Sequence, residues 1–181
     1  MQKVFYGRVP LANTWPYFLF EKSGKVQRLL HAIKYEDQKE LARYIGAMHG
    51  KELFQKGLTE NIDVIIPIPL HKKKLKSRGY NQSEWFAKGL GESISKPLDS
   101  GYLERTAFTS TQTRKNKYQR WENVEGIFKC LRPDELTNKH ILLVDDVVTT
   151  GATIEAAHLA FKEIEGLKLS LASIAFAAKL R

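Results

Sequence analysis

Four consecutive apolar residues, Ile141 to Val144, run straight into two acids, Asp145 and Asp146, and then into the small, hydroxyl-rich stretch Val147-Val148-Thr149-Thr150-Gly151-Ala152-Thr153. A short unbroken apolar run has the pattern of a strand buried on both faces, as in a parallel sheet. From Ala152 the apolar spacing becomes helical, with Ile154, Ala157, Phe161 and Ile164 on one face. The segment therefore joins the carboxyl end of a buried strand to the amino end of a helix, which commits the chain to an α/β architecture. Free helix-start amides and the positive end of the helix dipole favour an anion, and Gly151 permits a tight turn. Thr149, Thr150 and Thr153 add hydroxyl donors. Asp145 and Asp146 are acceptors when ionised, so they suit vicinal sugar hydroxyls or a hydrated divalent cation rather than the phosphate. A ribose 5-phosphate carries both groups. The alternative is an ordinary strand–turn–helix in which Asp146 or Thr149 caps the helix and the other acid is solvated.

The full string from Ile141 to Thr153 resembles the signature by which type I phosphoribosyltransferases bind phosphoribosyl pyrophosphate (PRPP). A second strand-to-helix junction lies upstream. Ile62 to Leu70 reads as a buried strand that Pro67 and Pro69 bring to an end, followed by a basic loop with His71, Lys72, Lys73, Lys74, Lys76, Arg78 and Gly79. Asn81 or Ser83 then opens a helix whose apolar side includes Phe86, Leu90 and Ile94. Ligands of open α/β sheets gather at the carboxyl ends of strands, so the basic loop and the Asp-Asp turn are expected to face one crevice. A solvated basic loop is the alternative for Lys72 to Lys74. A third region, residues 106–123, contains Arg114, Lys115, Lys117, Arg120 and Asn123 with almost no apolar periodicity. Its length and charge suit a lid over a charged substrate.

The 181 residues, 43% hydrophobic, suffice for one domain spanning 1–181. No run of roughly eighteen apolar residues and no leader pattern is present, so a cytoplasmic protein with no membrane insertion is expected. Cys130 is the only cysteine, which excludes a disulfide framework and a multi-cysteine metal site and reads as a packed thiol. The formal charge of +9 implies an anionic partner. Val26, Leu29, Leu30 and Ile33, then Leu41, Tyr44, Ile45 and Met48, have helical spacing and are expected to pack on the sheet, while His31 and His49 read as surface or core residues rather than ligands. Residues 169–178 read as a last strand. The aromatic segment 1–24 is expected to form a small amino-terminal cap.

Taken in order, Leu29-Leu30-His31-Ala32-Ile33-Lys34-Tyr35, Pro67-Ile68-Pro69-Leu70-His71, Arg78-Gly79-Tyr80-Asn81-Gln82, Gln112 with Arg120 and Asn123 before Phe128, and the Asp-Asp string resemble the ComF proteins. These are a phosphoribosyltransferase-like family linked to competence for DNA uptake. Many members begin with a four-cysteine zinc module, which this chain lacks. The resemblance implies a type I phosphoribosyltransferase-like fold, a mainly parallel twisted sheet with helices on both faces. It further implies transfer of a phosphoribosyl group from PRPP to an unidentified acceptor, with Mg2+ as cofactor. Asp145 and Asp146 would hold the ribose hydroxyls, directly or through the metal, and Val148, Thr149, Thr150, Gly151, Ala152 and Thr153 the 5-phosphate. Lys72, Lys73, Lys74, Lys76, Arg78 and Gly79 would bind pyrophosphate, with Arg114 or Arg120 arriving from the lid. A non-catalytic alternative is binding of PRPP, a nucleotide or single-stranded DNA during uptake, alongside competence-machinery proteins. There the cations would track a strand on which Tyr80, Tyr118 and Trp121 stack bases.

Overall fold

The computed structural model describes residues 1–106 and 126–177. A parallel four-stranded sheet forms its centre, in the order β1 (Leu11–Leu19), β6 (Lys168–Phe176), β5 (His140–Val148) and β2 (Val64–Pro67). The two inner strands are β5 and β6, and their apolar runs are buried on both faces as the sequence predicts. One face carries α1 (Lys25–Tyr35), α2 (Lys39–Gln55) and α4 (Gln82–Ile94), whose Ile33, Ile45, Phe86 and Leu90 pack with Ile65, Leu142, Val144 and Ile174. The other face carries α5 (Ala152–Leu159) and the two-stranded antiparallel ribbon of β3 (Leu103–Arg105) and β4 (Phe128–Cys130). There Ile154, Ala157 and Phe161 meet Ile66, Leu143 and Leu171. The alternation of side chains along each strand sorts these residues to opposite faces.

After β2 the chain runs outward. Leu98 forms a parallel bridge to Ile65, on the edge of β2 opposite to β5, whereas β5 connects through α5 to β6 on its other side. The connections leaving β2 and β5 thus diverge, and a crevice opens between them at the strands' carboxyl ends.

Three expectations change. The basic segment expected to be a loop is a helix, α3 (Lys72–Arg78), opened by the His71 ring, whose Nδ1 accepts from the Lys73 N–H at 3.2 Å, and closed by Gly79 in a left-handed conformation. Lysine, leucine and arginine are good helix formers, and their helical character is hidden by the absence of an apolar period. The aromatic segment 1–24 is partly sheet, since β1 is its edge strand. In α2 the buried stripe is Ala42, Ile45, Gly46, His49, Gly50 and Leu53, leaving Tyr44 and Met48 exposed. His49 is a core residue stacked between Tyr17 and Phe86, and burial pushes its pKa down to about 4, so it is neutral in the folded protein. His31 is exposed. Cys130 is half-buried and its thiol is raised by burial, as befits a packed residue.

The buried stripe of α2 follows from how closely it meets α4. A Cβ added at Gly46 would run into the Phe86 carbonyl oxygen, and one at Gly89 into the Arg43 carbonyl oxygen. Backbone therefore lies against backbone, and the glycines are needed for space. Gly89→Ala tests this with a sign. Intrinsic helix propensity alone favours alanine by about 1 kcal/mol, whereas overpacking costs roughly 1–3 kcal/mol. We expect net destabilisation in urea unfolding; a higher midpoint would disprove the contact.

Candidate active site at the carboxyl ends of the strands

Pairing of β2 with β5 stops at Pro67 opposite Val144, so the next residues of β5, Asp145 and Asp146, stand at the mouth of the crevice. Both carboxylates are met by side chains of helices on one face of the sheet, Asp145 by Ser83 of α4 and Asp146 by Lys34 of α1. Asp145 is only 9% exposed. Its Oδ1 accepts from the Ser83 hydroxyl at 3.2 Å and from the Asp146 N–H at 2.9 Å. Burial, then the neighbouring Asp146, pushes its carboxyl up to about 7. Asp146 is less enclosed; its Oδ1 accepts from the Val147 N–H at 2.6 Å and its Oδ2 meets the Lys34 ammonium of α1 at 2.9 Å. The Arg105 guanidinium on β3 is held below its ordinary pKa by burial and feels the charge of Asp145.

Val147 to Ile154, with Asp145, line a small recess formed by the turn. Gly151 is the N-cap of α5 in a left-handed conformation, φ +80°, and Thr149 and Thr150 are exposed at its rim. The Phe5 ring lies beneath the glycine, where an added Cβ would come within 2.6 Å of Cε1. Any side chain at 151 would collide with that ring and strain the backbone. Arg8 donates to the Thr150 carbonyl at 2.9 Å and pairs with Glu155 in the first turn of α5. The amino-terminal residues thus support the turn from the α5 face.

A larger cavity of about 340 Å³ opens beside the carboxylates, lined by Lys34, Tyr35, Asp37, Lys74, Ser77 and Arg78. Arg78 and Lys74 reach it because they are one helical turn apart on α3. Arg78 is steadied by the Gln82 side chain at 2.9 Å and lies 5.5 Å from the centre of the Tyr35 ring. Of the residues expected to bind pyrophosphate, Lys72, Lys73, Lys76 and Gly79 do not line this cavity, and Gly79 acts as the helix stop. Lys72 lies 3.9 Å from Glu104. Tyr80 is buried and its hydroxyl donates to the Ile33 carbonyl, which removes it as a base-stacking ring. Arg114, Arg120 and the 106–123 lid fall outside the described residues, apart from Thr106, as do Tyr118 and Trp121.

Asn81 fixes the α4 start against the sheet: its side chain accepts from the Ser83 N–H at 3.1 Å and donates to the Ile68 carbonyl at 3.0 Å. That placement delivers the Ser83 hydroxyl to Asp145. No group of three or more His, Cys, Asp or Glu converges among the described residues. Two adjacent carboxylates fit magnesium, which binds through one or two carboxylates and completes its shell with water and substrate oxygens. Sequence reasoning assigned no site role to Lys34, Ser83, Arg105 or Phe5; Lys34 carried a signal as part of the motif at 29–35, and Ser83 as a candidate helix start.

No family model matches the chain. Among curated proteins it is similar to the DNA utilization protein YhgH of Escherichia coli (strain K12), 30% identical over 129 residues, which are 70% of this chain and 56% of that protein. It is likewise 30% identical to Competence protein F of Haemophilus influenzae over 133 residues, 70% of this chain and 57% of the relative. Competence protein ComFC of Bacillus subtilis is 33% identical over 104 residues, 58% and 40% of the two chains. The chain thus spans little more than half the length of the first two relatives. Among solved structures, glutamine PRPP amidotransferase from B. subtilis complexed with ADP and GMP aligns with TM-score 0.47 and 19% identity over 72% of this chain and 26% of that one. Likeness at that level carries no functional inference.

The Asp145 carboxyl carries a stability consequence. Its folded pKa, about 7, lies above the ordinary aspartate value of 3.8, so between these limits the folded protein retains a proton that the unfolded chain releases. The group's contribution is therefore most favourable below about pH 4 and is lost as pH rises through 7. Asp145→Asn keeps the acceptor for Ser83 and removes the charge. Thermal melts of the ligand-free protein should show the variant more stable than wild type at pH 8 and the gain gone at pH 4. A loss of stability at pH 8 would contradict the burial cost.

Proposed function

Since the chain belongs to the ComF family, we propose that it binds PRPP with magnesium in this crevice and transfers the phosphoribosyl group to an acceptor, releasing pyrophosphate, in the service of competence and DNA uptake. The observation that carries the reading is the adjacency of three unlike features. A carboxylate pair stands between a helix-start recess and a cavity lined by Lys34, Lys74 and Arg78, and Lys34 touches both cavity and carboxylate. PRPP presents the matching sequence of groups: a 5-phosphate, two ring hydroxyls and a diphosphate on the anomeric carbon.

In the transfer, the bond between the anomeric carbon and the diphosphate oxygen breaks, the pyrophosphate leaves with the electron pair, and the acceptor's nucleophilic atom bonds to the carbon. The chain's share is to position and to neutralise. The amides and hydroxyls of residues 148–153 anchor the 5-phosphate, and Asp145 and Asp146 accept from the ribose hydroxyls. Magnesium, held by Asp145 and Asp146, would supply positive charge that offsets the charge of the leaving group. Arg78 and Lys74 meet the charge that grows on the leaving group, while the positive anomeric carbon is offset by the carboxylates. Ser83 and Lys34 hold those carboxylates in place before the ligand arrives.

A second reading is supported by the Tyr35 ring that lines the same cavity, by the cation-flanked Trp85 ring of α4 and by the word DNA in the name of the E. coli relative. Tyr35 is 65% exposed beside Arg78, and Trp85 lies under Lys39 and Lys88 at 5.3 and 5.1 Å. Cations beside accessible rings are what a sequence-tolerant single-strand groove needs. Such a site would lose affinity steeply with salt and be indifferent to the carboxylates.

Two measurements separate these. Pyrophosphate release with an acceptor panel should fall about a hundredfold in Arg78→Ala if the guanidinium acts like other preorganised electrostatic donors; unchanged release removes that assignment. In calorimetry, the double substitution Asp145→Asn with Asp146→Asn should abolish magnesium-dependent PRPP binding. Retained affinity would remove the role assigned to the two carboxylates.

A further inference from the structure

The ion pair between Lys34 and Asp146 competes with the work assigned to Asp146. The ammonium lies 2.9 Å from Oδ2, the oxygen not engaged by the Val147 amide. A hydrated cation approaching that oxygen would be repelled by the ammonium, and a ribose hydroxyl would have to share the oxygen with it. The side chain is 22% exposed, on a flexible stem of four methylenes, and it also lines the 340 Å³ cavity with Lys74 and Arg78. The cavity also holds the Asp37 carboxylate, and an anion entering it would give the ammonium a new partner.

We propose that Lys34 is an exchangeable counter-ion, paired with Asp146 in the free protein and handed over to the diphosphate when the ligand binds. This rests on the PRPP reading and adds a positioning residue to it. The handover makes the two halves of the site interdependent. A ligand that engages Asp146 without supplying an anion strands the ammonium beside a competitor, whereas one that supplies both groups satisfies every charge. The site thereby discriminates against ribose 5-phosphate, which has the hydroxyls but no diphosphate.

The test is a double-substitution cycle read by calorimetry on the full chain, with pyrophosphate in EDTA as probe so that no metal contributes. Lys34→Met should weaken pyrophosphate binding about tenfold or more, the worth of a charge-assisted contact. Asp146→Asn should strengthen it severalfold, because Lys34 no longer has to leave a partner. In the Lys34→Met background that gain should disappear. A gain that persists there would mean that Asp146 merely repels the anion, and would overturn the exchange. So would pyrophosphate affinity within twofold of wild type in Lys34→Met, which would leave Lys34 a static structural pair. Should Lys34→Met not fold, Lys34→Gln takes its place in the cycle, and unchanged affinity in Asp146→Asn also refutes the handover. Failure of the PRPP reading is distinguishable, since then wild type itself would bind neither pyrophosphate nor, with magnesium, PRPP.

Discussion

The close crossing of α2 and α4 governs where the chemistry can stand. Gly46 and Gly89 remove the side chains that would hold the two backbones apart, so α4 is pressed between α2 and the sheet. Its first turn then lies against the ends of β2 and β5. From that position Asn81 bonds the Ile68 carbonyl and Ser83 reaches Asp145. A displacement of α4 by even one methyl group's width would part a hydrogen bond already at 3.2 Å. Two glycines on the far side of a helix from the crevice therefore control the orientation of a carboxylate within it.

Around Asp145 the protein accepts a local penalty. A buried carboxylate with a second acid next in sequence is costly, and the compensation is incomplete: one hydroxyl, one backbone amide, and cations that serve other partners as well. Such incomplete compensation is common where a group is poised for a ligand and uncommon where it serves only the fold. The contrast with the Arg132–Asp99 pair is instructive. There the carboxylate is held below its usual range by a guanidinium at 2.6 Å, with the Gly101 amide as a further donor, and the group is fully committed to tying β4 to the loop before β3.

Much of this was legible in the residues because it depends on local pattern. The strand–acid–turn–helix string predicts β5, the recess and α5, since buried runs and helix starts leave signals within a few positions. The α/β class and the last strand follow from the same kind of evidence. What escaped was set at long range or by surface helices. Lysines 72–74 and 76 carry no apolar stripe, so α3 reads as a loop, and only its fold reveals that Lys74 and Arg78 share a side while Lys72, Lys73 and Lys76 point elsewhere. Tyr80 looks like a stacking ring until its burial under α1 is seen. The motif at 29–35 contains Lys34 and the helix start contains Ser83, but their contacts with β5 are made from separate helices and are not encoded in local spacing.

The first strand and the residues before it have a further effect on how the molecule comes into being. Among the described residues β1 is hydrogen-bonded to β6 alone, and Phe5 and Arg8 fasten a turn that appears only after residue 148. During synthesis the aromatic stretch before α1 must wait, unpaired, until β6 has emerged. A nascent product halted before β5 would have neither the helix-start recess nor a mate for those rings, so this arrangement ties the candidate site to the late emergence of β5 and β6.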